Sequence, residues 1–236
     1  QKNIFSTLEK ANKLIQKYLG EISSKDIQTF RRGNRYLNCG RHKKIFNEKK
    51  IIPEFCFGCF KILIEPKSLV DLIKLYILFD NYELKNGNPR KCMIEKRKNV
   101  NGIYKGYIYC NSLNEAQEIL NDTVNYINLN MDLNTDYQIK RGCTEYLDVY
   151  PEYGNLKDLM NYKEEWKNDE EEMEKKFPYL KDNSFDLSTV GGVSLRDILA
   201  IRNWIYFAYL KEDKSYKLVS ETLHKNVFIK NILDYN

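Results

Sequence analysis

The chain holds no apolar run approaching the roughly 18–20 residues that a membrane-spanning helix requires. Its opening residues, QKNIFSTLEK, have neither an apolar h-region nor a small-residue cleavage site, and they do not read as a secretory signal. Cysteine is sparse: six in 236 residues cannot make a disulfide scaffold, and this usage predicts a reducing, cytoplasmic setting. There are two histidines, His42 and His224, so histidine acid–base chemistry has few places to occur; His224 reads as exposed on a polar helix. No P-loop, nucleophile elbow or dinucleotide-binding glycine motif is present.

What is there is a chain that can fold. Hydrophobic residues make up 42% and charged residues 30%, enough for one large domain or two small ones with a normal core. The net charge of +5 conceals a polarity. Residues 1–110 carry 23 Lys and Arg against 10 Asp and Glu, and residues 111–236 carry 15 against 23. Two readings are open: the basic half meets a polyanion, or it packs on the acidic half of the same chain.

Ile4, Phe5, Leu8, Ala11, Ile15, Tyr18 and Leu19 recur at helical spacing over 3–19. Residues 25–50 read as irregular and basic. From residue 60 the pattern is regular: strand FKILIE (60–65), apolar helix 68–80, strand KCMIEKR (91–97), a turn at 99–102 and strand IYKGYIYC (103–110). A helix capped by Ser112 with Glu115 follows, and then strand YQIKRG (137–142). That β-α-β-β-α-β order is the split βαβ layout of ferredoxin-like domains. Beyond it, KEEWKNDEEEMEKKF (163–177) reads as a solvated helix or a mobile segment. Residues 191–210 read as a buried helix with a capping box at Ser194 and Asp197, and 214–233 as a last helix.

Cys39, His42, Cys56 and Cys59 stand at C-x2-H-x13-C-x2-C spacing. Two short pairs of soft ligands joined by a loop suit a closed, tetrahedral and structural zinc site, with Arg41, Lys43 and Lys44 offsetting its charge. Two alternatives stay open: Cys56 and Cys59 as core residues, or an iron–sulfur cluster recruiting Cys92, Cys110 or Cys143.

Strand alternation places Lys61, Leu63 and Glu65 with Lys105, Tyr107 and Tyr109 on the face away from the helices, joined by Arg97 and Lys140. Tyrosines ringed by cations make a stacking platform for single-stranded bases. Residues 92–120, CMIEKRKNVNGIYKGYIYCNSLNEAQEIL, resemble the strand, hairpin, signature strand and second helix of the RNA recognition motif. Lys105, Gly106, Tyr107 and Tyr109 look like the opening of its signature octamer. The resemblance implies that Tyr107 and Tyr109 stack bases and Lys105 meets phosphate. Ile108, Cys110 and the first-strand positions Lys61 and Leu63 depart from the family's pattern.

The expected architecture is α+β: an N-terminal helix and basic Cys/His lobe (1–59), a ferredoxin-like domain (60–143) and an acidic helical region (144–236). The first functional expectation is a protein that binds single-stranded nucleic acid, RNA by the resemblance, with a structural zinc. Arg31, Arg32, Arg35, Arg41, Lys43 and Lys44 would hold phosphates. The second is a metal-dependent or metal-stabilised enzyme acting on a phosphorylated or other anionic small molecule, with the 140–154 loop (KRGCTEYLDVYPEYG) and the Cys39–Cys59 lobe as walls. The third is an assembly or adaptor protein.

Overall fold

A computed structural model describes residues 26–31, 37–97, 100–130, 132–181 and 192–219, together with Ser6, Lys10 and Lys13. The helix expected over 3–19 lies outside the described residues except at those three positions, which are helical, and most of the 214–233 segment lies outside as well.

The described chain is mixed α+β, with one five-stranded sheet and seven α-helices. In chain order the elements are β1 (Gln28–Arg31), α1 (Cys39–Lys49), α2 (Glu54–Phe57), β2 (Phe60–Pro66), α3 (Leu69–Asn81), β3 (Arg90–Ile94), β4 (Tyr104–Cys110), α4 (Leu113–Asn130), β5 (Thr135–Arg141), α5 (Trp166–Lys176), α6 (Leu195–Leu210) and α7 (Tyr216–Val219). The strands lie in the order β1-β3-β4-β2-β5, and every neighbouring pair is antiparallel. No described helix is long and apolar enough to cross a membrane.

One face of the sheet is a hydrophobic layer. Phe60, Ile62 and Ile64 of β2, Cys92 and Ile94 of β3, and Tyr104, Ile108 and Cys110 of β4 pack with Leu72, Leu75 and Phe79 of α3, Ile119 of α4 and Trp204 of α6. Gly106 leaves room for α3: a Cβ there would meet Leu75 Cδ2 at 2.4 Å. The helix starts are set by side chains. Ser68 Oγ accepts from the Asp71 N–H, Ser112 Oγ accepts from the Glu115 N–H, and Ser194 with Asp197 forms the reciprocal capping box expected from the sequence. Trp204 Nε1 donates to the Ile27 carbonyl at 2.8 Å, tying α6 to the start of β1.

A second core brings together segments that the sequence reading kept apart. Ile45 and Phe46 of α1 and Cys56 of α2 pack with Tyr146, Tyr153, Trp166 and Met173. Residues 25–50 are therefore not irregular as expected: they contain β1 and α1. His42, Ile45 and Phe46, at i, i+3 and i+4, give α1 a narrow apolar stripe inside an otherwise charged sequence. The 163–177 helix is likewise not solvated all round. Trp166, Glu170 and Met173 of α5 are buried, and Lys49 of α1 reaches Asp169 at 3.1 Å and Glu172 at 2.6 Å. At these positions the acidic half neutralises the basic half.

Candidate functional site

On the sheet face turned away from α3 and α4, side chains fall into cross-strand rows. Lys140, Lys61 and Tyr109 form one row; Gln138, Leu63, Tyr107, Lys91 and Phe30 form the next. This is the face on which alternation places Lys61, Tyr107, Tyr109 and Lys140. It is the floor of a concave site rather than an open platform. Ile27, Gln28, Lys43 of α1, the 142–145 segment and Glu95–Arg97 rise around it and line a cleft of about 420 Å³.

Six cations line the cleft, Lys43, Lys61, Lys91, Lys96, Arg97 and Lys140, against two carboxylates, Glu95 and Glu145. Both carboxylates are already engaged: Arg97 reaches Glu95 Oε2 at 2.7 Å and Glu145 Oε1 at 2.9 Å. Lys105, in the third row, lies 3.7 Å from Glu65 and is buried. Lys61 and Lys91 differ from it. Lys61 Nζ donates to Cys143 Sγ at 3.5 Å and sits 5.5 Å from the Tyr109 ring centre. Lys91 Nζ lies 5.2 Å from the Tyr107 ring centre and 5.9 Å from that of Phe30. Among the described residues no carboxylate pairs with either ammonium.

Low-polarity surroundings penalise such charges. Burial, followed by the repulsion of Lys61, pulls Lys91 down to about 8. Burial opposes charge on Lys61 too, yet its value stands above that of an ordinary lysine, with Cys143 first among the surrounding groups that raise it. Burial also pushes the Tyr107 phenol up to about 12. At neutral pH the floor therefore presents cations and neutral phenols. It can attract an anion and offer the half-buried Tyr107 ring to a flat group.

No family model matches the chain, and no curated protein or solved structure matches it either.

The expected phosphate-binding residues are dispersed. Lys43 reaches the cleft, with Tyr107 and Tyr109, but Tyr109 is only 4% exposed and is buried floor rather than open surface. Arg31 is buried against Asp80 at 2.7 Å and Asp197 at 3.3 Å. Arg41 is 2.7 Å from both Glu170 and Glu174, and Lys44 is 2.7 Å from Glu48. Arg32 and Arg35 lie outside the described residues. Of that cluster, Arg31, Arg41 and Lys44 are thus engaged in intramolecular pairs and Lys43 lines the cleft. Within the 140–154 loop, Lys140, Cys143 and Glu145 do line the cleft.

The four residues expected to hold zinc are differently engaged. Cys39 opens α1 and is exposed. His42 is buried and stacks on Phe55 with ring centres 4.8 Å apart. Cys56 Sγ shares a hydrogen bond with Tyr146 Oη at 3.3 Å, and burial lifts its thiol well above the usual range. Cys59 is buried just before β2. Among the described residues no group of three or more His, Cys, Asp or Glu side chains is placed to hold a metal ion. Cys92 and Cys110 pack in the first core; Cys143 instead faces the cleft.

Sequence reasoning did not single out Lys91. The signal was present: Lys91 has the same strand parity as Arg97, which alternation does place on this face.

Proposed function

We propose that the chain binds a small anionic molecule in this cleft, its negative group beside Lys61 and Lys91 and any planar group over Tyr107. One observation carries the reading: two lysines share the floor of one cleft and no described carboxylate pairs with either. Cations so placed cost stability unless a ligand supplies the counter-charge, and local rules are broken in this way at functional sites. The strand order β3-β4-β2-β5, with its two intervening helices, favours a ferredoxin-like reading of residues 60–143, a layout that many functions share. Calorimetric titration with inorganic phosphate, a nucleoside monophosphate and a dicarboxylate tests the proposal. Saturable binding that weakens at least tenfold in Lys61→Met is expected. Failure of all three ligands at low salt overturns it.

A second reading, single-stranded nucleic acid, is favoured by Tyr107, whose ring is half-buried at the cleft floor with a cation above it. Fluorescence anisotropy with a labelled single-stranded RNA over a salt series separates the two. An extended phosphate track gives a steep salt slope, whereas occupation of the cleft by one terminal phosphate gives a slope near one.

A further inference from the structure

Resting on the anion-binding reading of this cleft, we propose that Lys91 is a nucleophile that captures the carbonyl carbon of an anionic aldehyde or ketone as an imine. A lysine becomes a better nucleophile when its ammonium gives up its proton more readily than an ordinary lysine does, and the two devices that achieve this are desolvation and an adjacent cation. Lys91 has both. Its amine lies over the Tyr107 ring, with Phe30 on its other flank and no carboxylate partner among the described residues, and Lys61 is the cation that acts on it. Lys61 is the wrong nucleophile for the same reason that it is the right anchor: it donates to Cys143 Sγ, and its value lies above that of an ordinary lysine.

The step balances without an external oxidant or reductant. The Lys91 nitrogen lone pair forms the C–N bond as the carbonyl π pair moves to oxygen. A proton transfers from nitrogen to that oxygen. The nitrogen then forms the C=N bond as one water leaves. The ligand's own anionic group sits against Lys61, which positions the carbonyl over the floor. The pH dependence belongs to a set of groups: Lys61 from β2, Cys39 from α1, Cys143 from the turn after β5 and Glu95 after β3 act on Lys91, while Lys43, Lys96, Arg97, Lys140, Tyr107, Tyr109 and Glu145 line the same space.

The test uses the full chain, pyridoxal 5′-phosphate as an aldehyde that carries its own phosphate, borohydride to fix any imine, and peptide mass mapping. One equivalent of label on Lys91 is expected. Lys91→Arg forms no imine, so it should take no label while its urea unfolding transition shows that it folds. Lys61→Met should need at least tenfold more pyridoxal phosphate. With uncharged propionaldehyde, which needs no anchor, the pH midpoint of trapping should move upward in Lys61→Met, because a repulsive charge has gone. Label spread evenly over surface lysines, or fixed on Lys61, while phosphate still binds, overturns imine capture and leaves the anion site standing. Loss of phosphate binding as well overturns both.

Discussion

Lys61 and Lys91 share one face of the sheet with β4 between their strands, Lys61 directly across from Tyr109 and Lys91 directly across from Tyr107. Two like charges on an aromatic floor are an unfavourable arrangement that the rest of the fold must carry. Other lysines escape it: Lys105 has Glu65, and Lys49 has Asp169 and Glu172.

Lys91 should therefore weaken the folded state at neutral pH. Its ordinary value is 10.5 and its folded value about 8, so between those limits the unfolded chain holds a proton that the folded chain has released. Stability from this group rises with pH across that window, and the penalty is fully present below it. Lys91→Met should be more stable than the parent at pH 7, by on the order of 1 kcal/mol. The advantage should shrink toward pH 10. Urea midpoints at the two pH values measure it; a variant destabilised at pH 7 would mean that the lysine's ring contacts outweigh the repulsion.

The two tyrosines should separate cleanly. Tyr109 is buried beneath the cleft, and Tyr109→Ala should cost about 3 kcal/mol in urea unfolding. Tyr107 is half-buried and lines the same space, so Tyr107→Ala should cost about 1 kcal/mol. It should nevertheless weaken a ligand with a planar ring far more than inorganic phosphate. Equal effects on the two ligands would remove Tyr107 from recognition.

Much of the sheet was legible because period-two alternation and capping residues are local signals: Phe60, Ile62 and Ile64 against Lys61 is a pattern that a strand writes into sequence, and Ser194 with Asp197 marks a helix start. The face carrying the cleft was legible for the same reason. Its closure was not. Lys43, Cys143 and Glu145 come to the rim from α1 and from the turn after β5, and what brings them there is the second core, made of Phe46, Cys56, Tyr146, Tyr153 and Trp166. Those contacts join positions about a hundred residues apart, which no local period encodes. Charge misled in the same way. Arg31 and Arg41 look like phosphate ligands in a basic stretch, but their partners Asp197 and Glu170 lie far along the chain.

The four residues at metal-ligand spacing should behave unequally. Cys56 is packed in the second core with its sulfur against Tyr146, and Cys56→Ser should cost about 1–3 kcal/mol. Cys39, exposed at the first turn of α1, should tolerate serine within about 0.5 kcal/mol. Thermal melts with and without a strong chelator, alongside elemental analysis for zinc, measure this. Equal losses at Cys39, His42, Cys56 and Cys59, together with stoichiometric zinc and a melting point lowered by chelator, would establish one shared ligand set.

Arg41 offers the sharpest contrast between a structural and a ligand-binding cation. Its guanidinium holds Glu170 and Glu174, and Glu170 also accepts from the Glu54 N–H at 2.7 Å and the Tyr162 hydroxyl at 3.1 Å. This junction ties α1 to α2 and α5. Removing the arginine leaves a carboxylate that is largely buried and without its main counter-charge. Arg41→Ala should thus cost about 2–4 kcal/mol. Glu170→Gln should cost less, since the amide oxygen can still accept from Glu54 and Tyr162. The loss in Arg41→Ala should change little between 50 mM and 500 mM salt, because partly buried pairs are weakly screened. Phosphate affinity in the cleft should be unchanged, as Arg41 is not among its lining residues. Wild-type stability combined with lost anion binding would instead place Arg41 on the ligand-binding surface.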